Sequence, residues 1–199
     1  MKLSVVIFLA SAVPSMAAGE ACISISNDLD RLACYDKELG RTAKVEAVPV
    51  SAGAWEVSQQ KSKLTDQTDV FLRVDSEEII DCGWNSGQKI AMFLRCSEST
   101  TALMFVTDCH MASNFGSYGE IEYRLDKEKA RKVSGDASTD NKALGLWSGG
   151  RSIPVIKQMM GKSEMIVRMT PYSQNPFTAT FKVAGLEKAI EPLRKECGW

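Results

Sequence analysis

Histidine is almost absent from this sequence, where His110 is the single example. The sequence also has no Cys-x-x-Cys pair, no His-Glu-x-x-His motif and no Gly-x-Ser-x-Gly motif. These absences argue against a zinc site built from cysteine and histidine. A serine or cysteine hydrolase would have to use His110, whose neighbour Cys109 we expect in a disulfide. We therefore predict no catalytic residue, no metal site and no cofactor.

A strong net charge and a long apolar run are missing as well. The sequence contains 24 Lys and Arg residues against 25 Asp and Glu residues, which gives a formal net charge of −1. This balance argues against a nucleic-acid partner. No stretch reaches the roughly 20 apolar residues of a membrane helix. We expect neither nucleic-acid binding nor stable membrane insertion.

The first residues have the composition of a cleavable export signal. Lys2 precedes an apolar stretch, residues 3–13, that is too short to span a bilayer and is followed by small residues. Cleavage is expected near Ala17 or Ala18, which assigns residues 1–17 to the signal peptide. The sequence therefore predicts an exported, periplasmic protein.

The six cysteines all follow this signal, and an even number in an oxidising compartment is typical of three disulfides. Cys22 and Cys34 are the closest pair in sequence, which favours a bond between them. Cys96 falls on the apolar face of a predicted strand and Cys197 on the apolar face of a predicted C-terminal helix, which favours a bond between these two. Other pairings stay open from sequence alone. The favoured pairs are Cys22 with Cys34, Cys96 with Cys197, and Cys82 with Cys109.

A stretch of small residues with a proline and a glycine, residues 47–53, separates two regions of different periodicity. The segment 18–46 before it contains a predicted helix that begins near Asn27 and ends near Gly40. The segment 54–199 after it alternates apolar and polar residues, which is typical of strands. Seven strands are expected there, at 55–59, 68–75, 89–96, 101–107, 120–126, 164–170 and 177–183.

Two helices are expected in this second region. Residues 153–160 form one, and the other ends near Cys197, with a kink or split at Pro192. Residues 133–147 are polar and ambiguous. Short strands without alternating helices favour a mainly β (α+β) fold, an antiparallel sandwich or barrel-like domain with an N-terminal disulfide-linked helix and a C-terminal helix.

Two short patterns resemble enzyme sites. Ser58 and Lys61 have the Ser-x-x-Lys spacing of penicillin-binding enzymes, but the companion motifs are missing. Glu120 and Glu122 resemble the carboxylate pair of a glycoside hydrolase, although a pair is unavoidable among so many acids. Neither pattern is specific.

A third pattern resembles a calcium loop. Asp136, Ser138 and Asp140 have the spacing of its first ligands, but the twelfth position would be Trp147 rather than glutamate. A polar loop is therefore the better interpretation.

Five predicted strands each place one cation on the face directed away from the core. The simpler interpretation is an exposed face whose cations pair with Asp75, Glu122 and Asp126. The alternative is a basic surface that binds an acidic protein partner or a glycan carboxylate. The candidate binding residues are Arg73, Arg95, Arg124, Arg168 and Lys182.

Short motifs occur along most of the predicted mature chain in an order that chance does not explain. They include Cys22 with Asp30-Arg31-Leu32-Ala33-Cys34-Tyr35-Asp36, Trp55-Glu56-Val57 leading to Ser62-Lys63-Leu64-Thr65-Asp66 and Val70, Leu94-Arg95-Cys96 with Thr100-Thr101, Tyr123-Arg124-Leu125-Asp126, Pro171-Tyr172, Phe181-Lys182-Val183-Ala184-Gly185-Leu186 and Cys197-Gly198-Trp199. With these motifs the sequence resembles the TagO/VasI-like family of type VI secretion-associated accessory proteins. The resemblance implies an exported, non-enzymatic accessory factor without catalytic residues. Cys82 and Cys109 are additions to the family's pattern.

The residues and the resemblance together favour a periplasmic accessory protein that binds an envelope or secretion-system protein. Two other classes stay open: an inhibitor or immunity-like protein that binds a wall enzyme, and a cell-wall hydrolase that uses a carboxylate pair. Peptidoglycan is left open as a further ligand.

Overall fold

The computed structural model describes residues 22–39, 53–82, 87–116 and 118–199. The predicted signal peptide and residues 47–52 of the predicted linker lie outside the described residues. Contacts along the chain divide it into two compact units, residues 1–46 and 47–199.

The described part of the first unit contains one helix, α1 (Asp28–Glu38). Asn27 precedes it, and the Asn27 side-chain oxygen accepts a hydrogen bond from the Asp30 N–H at 3.3 Å. This bond satisfies one of the free N–H groups at the start of the helix. A disulfide joins Cys22, before the helix, to Cys34 within it. The predicted N-terminal disulfide-linked helix is confirmed.

The described part of the second unit contains ten strands and three helices. Seven strands correspond to the predicted ones with shifted ends. The strands are β1 (Glu56–Lys61), β2 (Thr68–Ile80), β3 (Gln88–Ser97), β4 (Thr100–Val106), β5 (Glu120–Leu125), β6 (Arg131–Ser134), β7 (Asp136–Ala137), β8 (Ala143–Leu146), β9 (Glu164–Met169) and β10 (Phe177–Lys182). The helices are α2 (Gly149–Met159), α3 (Leu186–Ala189) and α4 (Glu191–Cys197).

These strands form two antiparallel sheets. The first sheet has the order β1-β2-β3-β4-β8-β7, and the second has the order β10-β9-β5-β6. Alternate residues of each strand face the core, as Met92 and Leu94 of β3 do with no exposed surface. Phe105 of the first sheet packs on Phe181 of the second, with ring centroids 5.7 Å apart. The core therefore lies between the sheets.

The two sheets approach each other along both edges. β6 and β7 belong to different sheets, yet Gly135 alone separates them in the chain. At the opposite edge β10 lies beside β2, where the Glu78 carboxylate accepts hydrogen bonds from the N–H and the hydroxyl of Thr180. The unit is therefore barrel-like, and the predicted mainly β fold is confirmed.

The helices pack against strands of the first sheet. The buried Ser152 hydroxyl of α2 donates a hydrogen bond to the Thr101 carbonyl of β4 at 2.9 Å. α2 begins at Gly149, four residues before the predicted start. Among the residues that the structure describes, no helix combines the length and the apolar character needed to cross a membrane.

The predicted C-terminal helix is split in two. α3 and α4 are separated at Ile190, and Pro192 lies in the first turn of α4, where its missing N–H costs no hydrogen bond. A disulfide joins Cys197 at the end of α4 to Cys96 of β3. The remaining disulfide joins Cys82, after β2, to Cys109, after β4. All six cysteines are thus bonded.

Candidate functional site

The five candidate cations do not lie on one surface. Arg73 of β2 and Arg95 of β3 lie on the outer face of the first sheet. Arg124 of β5, Arg168 of β9 and Lys182 of β10 lie on the outer face of the second sheet. Because the core separates the two sheets, these groups face different sides of the molecule.

The two cations of the first sheet differ in their surroundings. Arg73 donates a hydrogen bond to Asp75 at 2.8 Å, and its guanidinium lies 5.7 Å from the ring centroid of Phe93. The hydrogen bond to Asp75 raises the pKa of Arg73. Arg95 is half-buried, and its Nε atom is buried without an acceptor. Neither side chain is readily available to a partner.

Two cations of the second sheet are also paired. Arg168 donates through Nε to the Glu122 carboxylate at 2.8 Å. Lys182 contacts Glu164 at 3.1 Å and Glu77 at 3.2 Å, and these hydrogen bonds raise the pKa of Lys182. The expected pairs with Asp75 and Glu122 are therefore present in the structure.

Asp126 has a different role from the expected one. Its carboxylate accepts hydrogen bonds from the backbone N–H groups of Ser163 and Glu164, each at 3.0 Å. It therefore stabilises the start of β9, and the cation that it affects is Lys162 rather than one of the five candidates.

Arg124 differs from the other four cations. It lies across the ladder from Ile166 of β9, so no carboxylate stands opposite it. The carboxylate two residues away, Glu122, is bound by Arg168. In the described part of the chain, no acceptor lies within hydrogen-bonding distance of the exposed Arg124 guanidinium. Arg124 is thus a cation available for an external anion.

A shallow groove of about 340 Å³ surrounds Arg124. Arg168 lies in the same groove, and the side chains of Ile166 and Ala130 add apolar surface. Cations beside apolar surface suit a ligand that combines a carboxylate with hydrocarbon. We call this the outer groove; its lining residues are Glu122, Tyr123, Arg124, Ala130, Ile166, Arg168 and Thr178.

Sequence reasoning missed three lining residues of this groove: Ala130, Ile166 and Thr178. Ile166 and Thr178 become neighbours of Arg124 and Arg168 because β9 lies between β5 and β10, whereas Ala130 lies in the turn between β5 and β6. Ile166 did carry one signal, since it is an apolar residue at an outward position of its strand.

The structure separates the residues of the Ser-x-x-Lys pattern. Ser58 pairs with Phe71 and Lys61 with Thr68, so the two side chains project from opposite faces of β1. Lys61 instead contacts Asp66 at 3.1 Å. Lys61 is therefore not positioned to activate the Ser58 hydroxyl.

The two candidate carboxylates of a hydrolase are occupied by cations. Glu120 and Glu122 project from the same face of β5. Lys132 contacts Glu120 at 2.8 Å, and Arg168 binds Glu122. Both carboxylates thus belong to the charge pairs of the outer sheet face.

The calcium-like residues form an internally bonded turn. The Ser138 hydroxyl donates a hydrogen bond to Asp140 at 2.6 Å and thereby lowers the pKa of Asp140. Asp136 is in an ion pair with Arg151. Within the described residues, no three acidic, histidine or cysteine side chains are close enough to hold a metal ion.

His110 lies at the surface beside the Cys82–Cys109 disulfide. The disulfide removes the Cys109 thiol as a nucleophile. The His110 ring packs on Tyr172, with centroids 5.6 Å apart. The ring thus has an aromatic neighbour on one side, and Asp108, Asp140, Asn141 and Lys142 line a groove beside it.

Similarity to solved structures is remote. The crystal structure of invasion associated protein b from Bartonella henselae resembles this chain with a TM-score of 0.47 and 11% sequence identity. The similarity covers 72% of this chain and 93% of that one. No curated protein matches the sequence.

Similarity to a protein family is extensive. Residues 21–199 match the family described as "Type VI secretion system VasI, EvfG, VC_A0118". The match includes both cysteines of the α1 disulfide, the ten strands and the C-terminal Cys-Gly-Trp. The chain therefore belongs to the VasI family of type VI secretion systems.

Proposed function

We propose that this protein is an exported, non-enzymatic accessory protein of a type VI secretion system, and that its outer groove binds an acidic segment of an envelope or secretion-system protein. Membership of the VasI family supports the association with type VI secretion. The observation that carries the binding role is the Arg124 guanidinium, which is exposed and has no acceptor among the described residues.

The charge pairs of the second sheet explain why one cation can set the specificity of the groove. The carboxylates of Glu120, Glu122 and Glu164 are each neutralised by a cation on the same face. An incoming carboxylate therefore meets an excess positive charge at Arg124. Arg168 donates to Glu122 and lies in the same groove, where it offers the incoming carboxylate a second contact.

The cysteines support export. All six are in disulfides, and disulfides persist in oxidising compartments such as the periplasm. The apolar stretch of the first residues supports the same conclusion. Mass spectrometry of the protein purified from the periplasmic fraction should find a mature N-terminus at Ala18 or Gly19. Recovery of the intact Met1 form from the cytoplasm would contradict export.

Affinity capture from the native host tests the groove. We expect the wild-type protein, crosslinked at low dose, to recover subunits of the secretion membrane complex, with crosslinks near Arg124. The variant Arg124→Glu should lose these subunits, because the introduced carboxylate repels the carboxylates of the acidic segment that binds the groove. Lys89→Glu makes the same charge change at an exposed site of β3 and should recover them normally.

The variants also separate folding from binding. Arg124 is exposed and unpaired, so its reversal should leave the urea midpoint unchanged within error. Equal recovery of secretion subunits by wild type and a folded Arg124→Glu variant would eliminate the groove as the docking surface. Specific recovery of a single wall hydrolase would favour the inhibitor class instead.

A further inference from the structure

Four aromatic side chains form a continuous strip that shares no residue with the outer groove. Phe115 stacks on Tyr118 with ring centroids 6.3 Å apart and planes inclined by 10°. Tyr118 packs on Tyr172 at 5.4 Å, and Tyr172 packs on His110 at 5.6 Å. We call these four residues the aromatic strip.

The aromatic strip presents much of its surface to solvent. Phe115 is 69% exposed and Tyr172 is 50% exposed, although aromatic side chains normally bury most of their surface. A contiguous group of exposed rings on a soluble domain is typical of a recognition surface rather than of a core.

Backbone contacts hold the strip in place. The Tyr172 N–H donates a hydrogen bond to the His110 carbonyl at 2.7 Å, and the Ser173 N–H donates to the Tyr118 hydroxyl at 3.2 Å. The Cys82–Cys109 disulfide fixes the residue next to His110. Because the rings are positioned before binding, a ligand loses less free energy to ordering them.

Two grooves adjoin the strip, one at Tyr118 and one at His110. One, of about 250 Å³, is lined by Tyr118 together with Glu120, Lys132 and Ser134. The other, of about 200 Å³, is lined by His110 together with Asp108, Asp140, Asn141 and Lys142. Each groove thus offers hydrogen-bond donors and acceptors side by side.

We propose that the aromatic strip binds a neutral oligosaccharide chain. The C–H groups of a pyranose ring carry partial positive charge and pack on the negative faces of the aromatic rings. Its hydroxyls both donate and accept, as the groups of the two flanking grooves do. Glu120 pairs with Lys132 and Asp108 pairs with Lys142, so neither groove offers an excess positive charge to a polyanionic sugar or an anionic lipid surface. This binding is independent of the outer groove and of the function proposed for it.

Titration of the full-length mature protein with chitotetraose and cellotetraose, followed by two-dimensional NMR, tests the proposal. We expect saturable shifts at residues of the aromatic strip and its flanking grooves. Tighter binding of chitotetraose would identify an amino-sugar chain such as the glycan of peptidoglycan, and equal binding would identify a general polysaccharide. Heparin, a polyanion, should leave the strip unshifted.

Variants separate stacking from folding. Phe115→Ala and Tyr172→Ala together should weaken sugar binding about tenfold, because two rings on which the sugar packs are lost. Leu64→Ala removes a side chain that is 91% exposed in the turn between β1 and β2, outside the strip and its grooves, and should not change binding. Phe115→Ala alone should keep the wild-type unfolding midpoint.

Three results would overturn the proposal. One is the absence of saturable shifts in the wild-type protein at millimolar sugar. Another is unchanged affinity in the folded double variant. The third is binding of a proline-rich peptide, but of neither sugar, at the same rings, because the strip would then recognise protein.

Discussion

Glu78 of β2 and Thr180 of β10 connect the two sheets through a carboxylate that accepts two hydrogen bonds. The Thr180 N–H donates to one carboxylate oxygen and the Thr180 hydroxyl donates to the other, each at 2.7 Å. The two residues are 102 positions apart in sequence. They therefore join the edge at which the barrel-like unit closes.

The first prediction concerns this connection. Glu78→Gln replaces one acceptor oxygen by an NH2 group, which cannot accept from Thr180. We expect a loss of about 1 kcal/mol in the free energy of unfolding at neutral pH, since the carboxylate is partly solvated. Urea unfolding measures the loss. Glu77→Gln, which affects an exposed pair with Lys182, should cost less than about 0.5 kcal/mol.

The second prediction is the pH dependence of that loss. Burial raises the pKa of the Glu78 carboxyl, but the hydrogen bonds from Thr180 outweigh it, and the pKa lies below its ordinary value of 4.5. A lowered pKa stabilises the folded state above the unfolded pKa, and this stabilisation disappears as the pH falls through the folded pKa. The difference between wild type and Glu78→Gln should therefore vanish in acid. A difference that persists at about pH 2 would contradict this linkage.

The third prediction compares two disulfides by loop length. The Cys96–Cys197 bond spans 101 positions and the Cys82–Cys109 bond spans 27. In the chain-entropy account, removing the first costs about 4.7 kcal/mol and removing the second about 3.5 kcal/mol. The variant with both Cys96 and Cys197 replaced by alanine should therefore have a lower urea midpoint than the variant with both Cys82 and Cys109 replaced. The reverse order would show that loop length does not control their contribution.

The fourth prediction concerns Gly53. It has a φ of +70°, and a Cβ atom there would lie 2.2 Å from the Ala184 carbonyl oxygen. Gly53→Ala should cost more than about 2 kcal/mol through strain and the displaced backbone. Gly150→Ala is the matched control, because nothing lies within 4 Å of its added Cβ and alanine favours the helix. Urea unfolding should show a loss for the first variant and none for the second.

The fifth prediction concerns the last residue. The Trp199 Nε1–H donates a hydrogen bond to the Thr101 hydroxyl at 2.9 Å, and Thr101 is buried. Trp199→Phe keeps an aromatic ring but removes the donor, so a loss of about 1 kcal/mol is expected. A double-mutant cycle with Thr101→Val isolates this bond. A coupling energy near zero would mean that Trp199 contributes by packing alone.

The inward residues of the long strands could be predicted from alternation, but one strand end could not. β2 continues to Ile80, whereas its predicted end is Asp75. The ladder shifts register between Asp75 and Ile79, so the alternation breaks inside a continuous strand. Period alone cannot distinguish such a bulge from the end of a strand.

The region 133–147 was ambiguous for two physical reasons. β6 and β7 are short, and most of their residues are exposed or half-buried, so they carry little apolar signal. All four residues of β8 are buried, and the Met104 side chain and the Trp147 ring lie against Gly145. A strand buried on both faces does not alternate.

The direction of the candidate cations could be predicted, but not their grouping. Alternation places Arg73 and Arg124 on outer faces, as the structure does. Which sheet a strand joins depends on pairings between distant segments, such as β5 with β9. Local sequence does not encode those pairings. The five cations that the sequence predicts on one surface therefore lie on the outer faces of two different sheets.

The Cys96–Cys197 bond sets an order of events in the life of the chain. β3 is an interior strand of its sheet, yet its partner cysteine lies 101 positions later in the chain. Chains emerge from the ribosome with the N-terminus first, so Cys96 becomes available well before Cys197. Oxidation of this pair therefore waits until Cys197 has emerged, and a chain cut short before Cys197 is left with a reactive thiol on a central strand.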